Sequence, residues 1–318
     1  MYRDRYKQRT FTMPLSHIER LPTELIQPIF LSSGPNLALP LASHHLAAKL
    51  SHQRIYEAVC TQLLAKRCVH NAAHSRNQTM LFAAKWMTWE FFKSFVFKEY
   101  AETRCLCGKS TAEGCLDPQW PPDFDDATNM TFTRSHLPVL AFVKARIPVK
   151  LLCGPWTQDK IQFLRFLLWT TSMTIDWADT RVLEIAREGK RQAFRENNLE
   201  AVHLFNHNRR LGRAPNMEQI RFAILEAECN RSIIYDTMMN ARSSGMKGSH
   251  WESPELDKWC QERIEAGDLK GQWLKTKLEE LRFYCARIHS NSIWEQDVPE
   301  KYGYMDPETD NYETEDGT

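Results

Sequence analysis

The chain has 318 residues and carries 41 Lys and Arg residues against 40 Asp and Glu residues, a formal net charge of +1. That near balance argues against a protein whose main partner is nucleic-acid phosphate, and an apolar fraction of 42% is too high for a disordered chain. Because only 12 Gly residues are present, we expect neither an all-β sandwich nor a phosphate-binding α/β fold. We predict a mainly α fold of one large domain or two modest ones.

The two ends are predicted to be charged flexible tails. Residues 1–14 form the basic tail, and residues 286–318 form the acidic tail, with nine acidic residues from Glu295 onward against Lys301 alone. We expect no secretory signal and no membrane span, since the first residues lack an apolar segment and no long apolar stretch follows. The nine Cys residues, an odd number, then fit reduced thiols, so we expect a cytoplasmic or nuclear protein.

Residues 15–68 are predicted to form three short helices. The first begins near Pro22, which is tolerated in the first helical turn. Leu21, Leu25 and Ile29 fall at i, i+4 and i+8 and form one apolar stripe, which Ile26 and Phe30 widen.

The second and third helices of this segment follow a turn at residues 34–36. Pro40 is predicted to open the second helix, which carries Ala42, Leu46 and Leu50. Ser51 is the predicted N-cap of the third helix, whose apolar stripe is Ile55, Val59 and Leu63.

Residues 69–136 combine an aromatic helix and an irregular loop. The helix, predicted from Trp86 to Tyr100, is aromatic on nearly every side and is expected to be buried between layers. Residues 105–135 are rich in Pro and Asp and are predicted to be irregular. No metal or other cofactor is predicted, but an alternative is a zinc site formed by Cys105, Cys107, Cys115 and His136.

Helical segments return in pairs over residues 137–285. Residues 193–205 and 225–239 are alike when Val202 is set against Ile234, an offset of 32 residues, and the pattern resembles a degenerate ankyrin-like repeat of about 33 residues. Residues 158–169 are predicted to be the outer helix of an earlier unit. An irregular helical bundle is the alternative, since the Thr-Pro-Leu-His signature of ankyrin units is absent.

The segment over residues 18–50 resembles an F-box. It contains the string Leu-Pro-Thr-Glu-Leu-Ile at residues 21–26, followed by Ile29-Phe30 and a second helix with Leu46 and Leu50. The match covers about 50 of the 318 residues, and the whole chain looks like fungal proteins in which an F-box precedes a degenerate ankyrin-like region. Pro28 departs from the family pattern and is predicted to kink or end the first helix; the pair His44 and His45 departs from it too.

The resemblance implies a non-catalytic, substrate-recruiting subunit of a cullin-type (SCF) ubiquitin ligase. The F-box would bind a helical Skp-type adaptor and, through it, a cullin scaffold. Residues 137–285 would bind an unknown protein target. Neither nucleic acid nor membrane is an expected partner. By analogy with the family, the adaptor-binding residues are Leu21, Pro22, Leu25, Ile29 and Leu46. For each of them the alternative is a place in the internal core of the three-helix unit.

Three arginines are the candidates for target binding. Arg209, Arg210 and Arg213 are predicted to lie in a loop between the paired helical units, where they could receive an acidic or phosphorylated motif, or simply solubilise the loop. Two other functions stay open from the sequence: a helical-repeat interaction scaffold that is not associated with a ligase, and a zinc-dependent enzyme that uses the loop at Cys105–Cys115.

Overall fold

The computed structural model of the protein describes residues 15–65, 72–100, 108–115 and 140–290. Across these ranges it contains fourteen α-helices and no strand, which confirms the predicted mainly α fold. The chain divides into two compact units, Met1–Asn240 and Ala241–Thr318, and the boundary falls inside the predicted repeat region. None of the helices in the described ranges is both long enough and apolar enough to cross a membrane.

Seven helices form the first part of unit 1. The N-terminal segment contains five of them and ends in one turn of π-helix, and two longer helices follow: α1 His17–Arg20, α2 Thr23–Ser32, α3 Leu39–Ala42, α4 His44–Leu50, α5 Gln53–Cys60, the π turn Thr61–Ala65, α6 Ala72–Ala83 and α7 Trp89–Glu99.

The boundaries of these helices differ from the predicted ones at three residues. Pro28 does not end α2, which continues to Ser32. The predicted second helix is broken at Ser43, whose extended backbone and side-chain bond to the N–H of His45 make it the N-cap of α4. The cap of α5 is His52 rather than Ser51, because the His52 ring nitrogen accepts the N–H of Arg54 at 3.2 Å.

An aromatic core joins α7 to α8, which spans Gln158–Thr170. The rings of Phe92, Phe163 and Phe166 are each fully buried, and the indole N–H of Trp89 donates to Gln162 at 2.9 Å inside this core. Since α8 has buried side chains all round, it is a central helix and not the outer helix of a repeat. The helix α7 was expected to be buried between layers, but it is buried on one face, by Trp89, Phe92, Phe95 and Val96, while Phe97 is 38% exposed.

Two helix pairs follow α8. The first pair is α9 Thr180–Arg195 and α10 Leu199–His207. The second pair is α11 Met217–Arg221, extended by the π turn Phe222–Glu226, and α12 Arg231–Ser243. The helices within each pair are joined by a short connection, and the loop 208–216 joins the two pairs.

In both pairs an Asn side chain caps the second helix, and the two Asn residues are 32 positions apart, the offset found in the sequence. Asn198 begins α10 by accepting the N–H of Ala201 at 3.0 Å, and Asn230, 32 residues later, accepts the N–H of Ile233 at 3.0 Å before α12. The side chain of Asn197 also accepts the N–H of Asn230 at 2.8 Å, so the second connection is bonded directly to the first. A bond of 3.1 Å from Asn206 of α10 to Thr237 of α12 shows that these two helices lie side by side.

Unit 2 contains the 3-10 turn Gly248–Trp251, α13 Pro254–Glu265 and α14 Leu269–Ser290. Gly271 lies so close to α13 that a Cβ atom on it would meet the backbone oxygen of Cys260 at 2.7 Å. The helix α14 continues five residues past position 285, where the sequence predicts that the acidic tail begins.

Candidate functional site

The N-terminal helices are held together by hydrogen bonds of Lys49, Gln27 and Glu19. The ammonium of Lys49 donates to the backbone oxygens of Glu19 and Leu21, each at 2.6 Å, and Gln27 on α2 donates to the backbone oxygen of Lys49 at 2.8 Å. The Glu19 carboxylate accepts hydrogen bonds from Ser16 and Ser43, which lower its pKa to about 2. These bonds tie α1, α2 and α4 into one unit.

The two sides of α2 have opposite environments. Ile26 and Phe30, four residues apart, are 1% and 3% exposed and belong to the core of the N-terminal segment. Leu25 and Ile29, also four residues apart, are 53% and 49% exposed. We call Leu25 and Ile29 the α2 ridge: an apolar pair on one helical face that the described part of the chain leaves about half exposed.

The α2 ridge is not the only exposed apolar surface in this segment. Five of the thirteen large apolar side chains that are exposed in the described residues lie between positions 15 and 65. Besides the ridge they are Leu15, Ile18 and Leu41, of which Leu41 is 81% exposed. Because contiguous exposed apolar patches mark partner surfaces, these side chains are the candidates for such a surface in this segment.

The structure divides the five predicted adaptor-binding residues into two groups. Leu25 and Ile29 are exposed, Pro22 is exposed at the N-cap position of α2, and Leu21 is half-buried. Leu46 is only 3% exposed. Its assignment to the partner surface is therefore wrong, because α4 turns this side chain into the core of its own unit.

The three candidate target-binding arginines do lie in a loop, residues 208–216, as predicted. Arg209 and Arg213 are exposed. Arg210 is half-buried, and its guanidinium donates to the backbone oxygens of Thr171 at 2.7 Å, Met173 at 3.2 Å and Leu168. These carbonyl groups lie at and just beyond the end of α8, so Arg210 completes the hydrogen bonding of a buried helix end and is not available to a target.

The alternative zinc site falls almost entirely outside the described residues. Of Cys105, Cys107, Cys115 and His136, only Cys115 is described, and it is half-buried in the segment 108–115.

A cluster that the sequence reasoning missed joins α10 to α12. Nδ1 of His203 and Nε2 of His207 each lie 2.9 Å from Oδ1 of Asp236, and the two imidazole rings are stacked with their centroids 4.0 Å apart. Among the residues that the structure describes, this is the one group of three His, Cys, Asp or Glu side chains close enough to share a metal ion. The i, i+4 spacing of the two histidines was visible in the sequence; the third member required knowing that α12 lies beside α10.

The carboxylate of Asp236 is strongly held in its charged form. Burial opposes the ionisation of this group, but hydrogen bonds from His203, Asn206 and His207 outweigh burial and lower its pKa to about 2. The other oxygen, Oδ2, accepts a bond from Asn206 Nδ2 at 2.8 Å, and Asn206 itself is fully buried. The cluster therefore presents a fixed anionic oxygen between two imidazole nitrogens.

Comparison with known proteins adds no relative to this description. No family model, no curated protein and no solved structure matches the chain.

Proposed function

We propose that the protein is a substrate-recruiting subunit of a cullin-type ubiquitin ligase, which binds a Skp-type adaptor through its N-terminal helices. The observation that carries the proposal is the α2 ridge: Leu25 and Ile29 are half exposed while Ile26 and Phe30 on the same helix are buried. This pair lies inside the segment whose sequence resembles an F-box. An apolar pair that the described residues leave half exposed is the kind of surface that adaptor binding requires.

The exposed area of the ridge sets the size of the expected contribution. Full burial of a Leu or Ile side chain is worth about 1.5–3 kcal/mol. Since each ridge residue is about half exposed, covering the pair would contribute about 2 kcal/mol, or roughly 30-fold in affinity. That is the size of a central part of a protein interface, and the neighbouring exposed residues would supply the rest.

The chain itself would make and break no bond in this role. It would hold a target protein near a ubiquitin-loaded conjugating enzyme and so raise the effective concentration of a target lysine. The target would bind residues 137–285, with Arg209 and Arg213 as candidate contacts for an acidic or phosphorylated motif. In a ligase of this type the protein would act in the cytoplasm or the nucleus.

Co-purification with an added adaptor tests the proposal. Tagged full-length protein should retain recombinant Skp-type adaptor, and the double variant Leu25→Asp, Ile29→Asp should lose it. A matched control is Leu269→Asp, Phe283→Asp, which places the same charges on two exposed apolar positions of α14; this variant should retain the adaptor. Failure of the wild-type chain to retain adaptor, or equal retention by both double variants, would refute the proposal.

The second candidate function is a helical interaction scaffold that joins no ligase. The observation that favours it is the repeated pairing of α9 with α10 and of α11 with α12, with the Asn caps of α10 and α12 32 residues apart, because repeat units commonly present binding surfaces. A scaffold of this kind would bind its protein partner equally well with or without the α2 ridge.

A further inference from the structure

We propose that His203, His207 and Asp236 form a binding site for a divalent transition-metal ion of the zinc type. The three side chains come from α10 and α12, which the hydrogen bonds of Asn206 to Asp236 and Thr237 join side by side. The site is independent of the α2 ridge and of the ligase role.

The ligand set favours zinc over the alkaline-earth ions. Two imidazole nitrogens and one carboxylate oxygen are donors that zinc and its neighbours in the transition series accept, whereas Ca²⁺ and Mg²⁺ prefer oxygen donors alone. The two histidines are four residues apart on one helix, so their rings leave the same face of α10. Two imidazole groups on one helical face are a frequent way of supplying half of a zinc site.

The distances between the donor atoms are close to those of a tetrahedral site. Both imidazole nitrogens lie 2.9 Å from the same carboxylate oxygen of Asp236. Donor atoms about 2.0–2.1 Å from a tetrahedral zinc ion are roughly 3.4 Å apart. Each nitrogen would therefore move only about half an ångström from the shared oxygen to admit the ion, and the two nitrogens already lie within 4.8 Å of each other. The histidine side chains, which are 56% and 45% exposed, have room to do so.

The protein orients the carboxylate from behind, as proteins do for metal ligands. Nδ2 of the fully buried Asn206 donates to Oδ2 of Asp236 at 2.8 Å and lies 3.1 Å from the hydroxyl of the fully buried Thr237. One carboxylate oxygen is thus fixed by the core, and the other faces the imidazole pair. Such supporting bonds fix the direction of a ligand before the ion arrives.

The arrangement is that of an open site. Three donors come from the described residues, and both imidazoles are exposed, so water or a group from a partner would complete four coordination positions around zinc. Closed structural zinc sites, in contrast, take all four ligands from the protein. Such an ion would add a positive charge to the surface just before the loop that carries Arg209 and Arg213.

Metal titration of the full-length chain tests the site. After treatment with a chelator and its removal, the wild-type chain is titrated with Zn²⁺ by calorimetry and with Co²⁺ by visible absorption. We expect one equivalent to bind with nitrogen and oxygen ligands, recognised by Co²⁺ bands without thiolate charge transfer. That spectrum distinguishes this site from any site built from the cysteines.

Two variants and one control make the test specific. The variant His203→Gln, His207→Gln changes exposed side chains and should lose this equivalent while remaining folded, and Asn206→Ala should weaken the binding by about tenfold or more. The control His44→Ala, His45→Ala also removes two exposed imidazoles and should bind as the wild type does. If the wild-type chain binds no metal with this spectrum, or if the His203, His207 variant binds as much as the wild type, the cluster is only a hydrogen-bonded link between α10 and α12.

Discussion

Replacement of Arg210 with alanine should destabilise unit 1 strongly. The guanidinium donates to the backbone oxygens of Leu168, Thr171 and Met173, and all three of these residues are at most 1% exposed. A hydrogen bond from a charged donor contributes about 1.5–3 kcal/mol to stability. The variant loses this contribution in full, because the buried carbonyl groups are left without a donor. Because the three bonds share one side chain and do not add independently, we expect a loss of about 3–5 kcal/mol in the free energy of unfolding.

Urea unfolding of the full-length chain measures this loss, and hydrogen exchange of the amides of α8 assigns it to that helix. Arg213→Ala is the matched control from the same loop; its side chain is exposed, so its loss should change stability by no more than about 0.5 kcal/mol. If Arg210→Ala is as stable as Arg213→Ala, and its α8 amides exchange at the wild-type rate, the structural role assigned to Arg210 is wrong.

Two further changes test other parts of unit 1. Gly189→Ala should cost about 1–3 kcal/mol of stability, because a Cβ there would lie 1.7 Å from the backbone oxygen of Leu152. Urea unfolding measures this loss, and the control Glu188→Ala, on the same helix, should be close to wild type in stability. A Gly189→Ala variant as stable as that control would contradict the close approach. Burial, aided by the charge of Arg209, lowers the pKa of Lys190 to about 7 from an ordinary 10.5. Since the unfolded chain then binds more protons between those pH values, wild-type stability should rise with pH across this window. Lys190→Met should remove that rise and stabilise the protein at pH 7 by about 1–2 kcal/mol. The measurement is the urea midpoint of the wild type and of the variant at pH 7 and at pH 9. If the midpoint changes by the same amount between these pH values in both proteins, the prediction is wrong.

Local sequence signals predicted most of the helices, because caps and apolar spacing act over a few residues. The offset of 32 between Val202 and Ile234 predicted the second pair, and the matching bonds of Asn198 and Asn230 give the physical reason. The prediction that Pro28 ends or kinks α2 relied on the helix-breaking tendency of proline alone; α2 continues beyond it to Ser32.

The features that could not be predicted from the sequence depend on contacts between helices that are distant in the chain. Leu46 has the spacing of a surface stripe as well as that of a core residue, and only the packing of α4 decides that it is buried. Arg210 has the same type and loop position as its neighbours, yet the end of α8, about 40 residues earlier, makes it structural. The cluster of His203, His207 and Asp236 needs the placement of α12 beside α10.

The central claim is that the exposed α2 ridge binds a partner, and the dissociation constant for recombinant Skp-type adaptor tests it most directly. Calorimetry on the full-length chain should show saturable binding that Leu25→Asp, Ile29→Asp weakens by at least about 30-fold, the value expected for losing the apolar contact alone. The control Leu269→Asp, Phe283→Asp should bind as the wild type does. An affinity that is the same for all three proteins, or the absence of binding by the wild-type chain, would contradict the account.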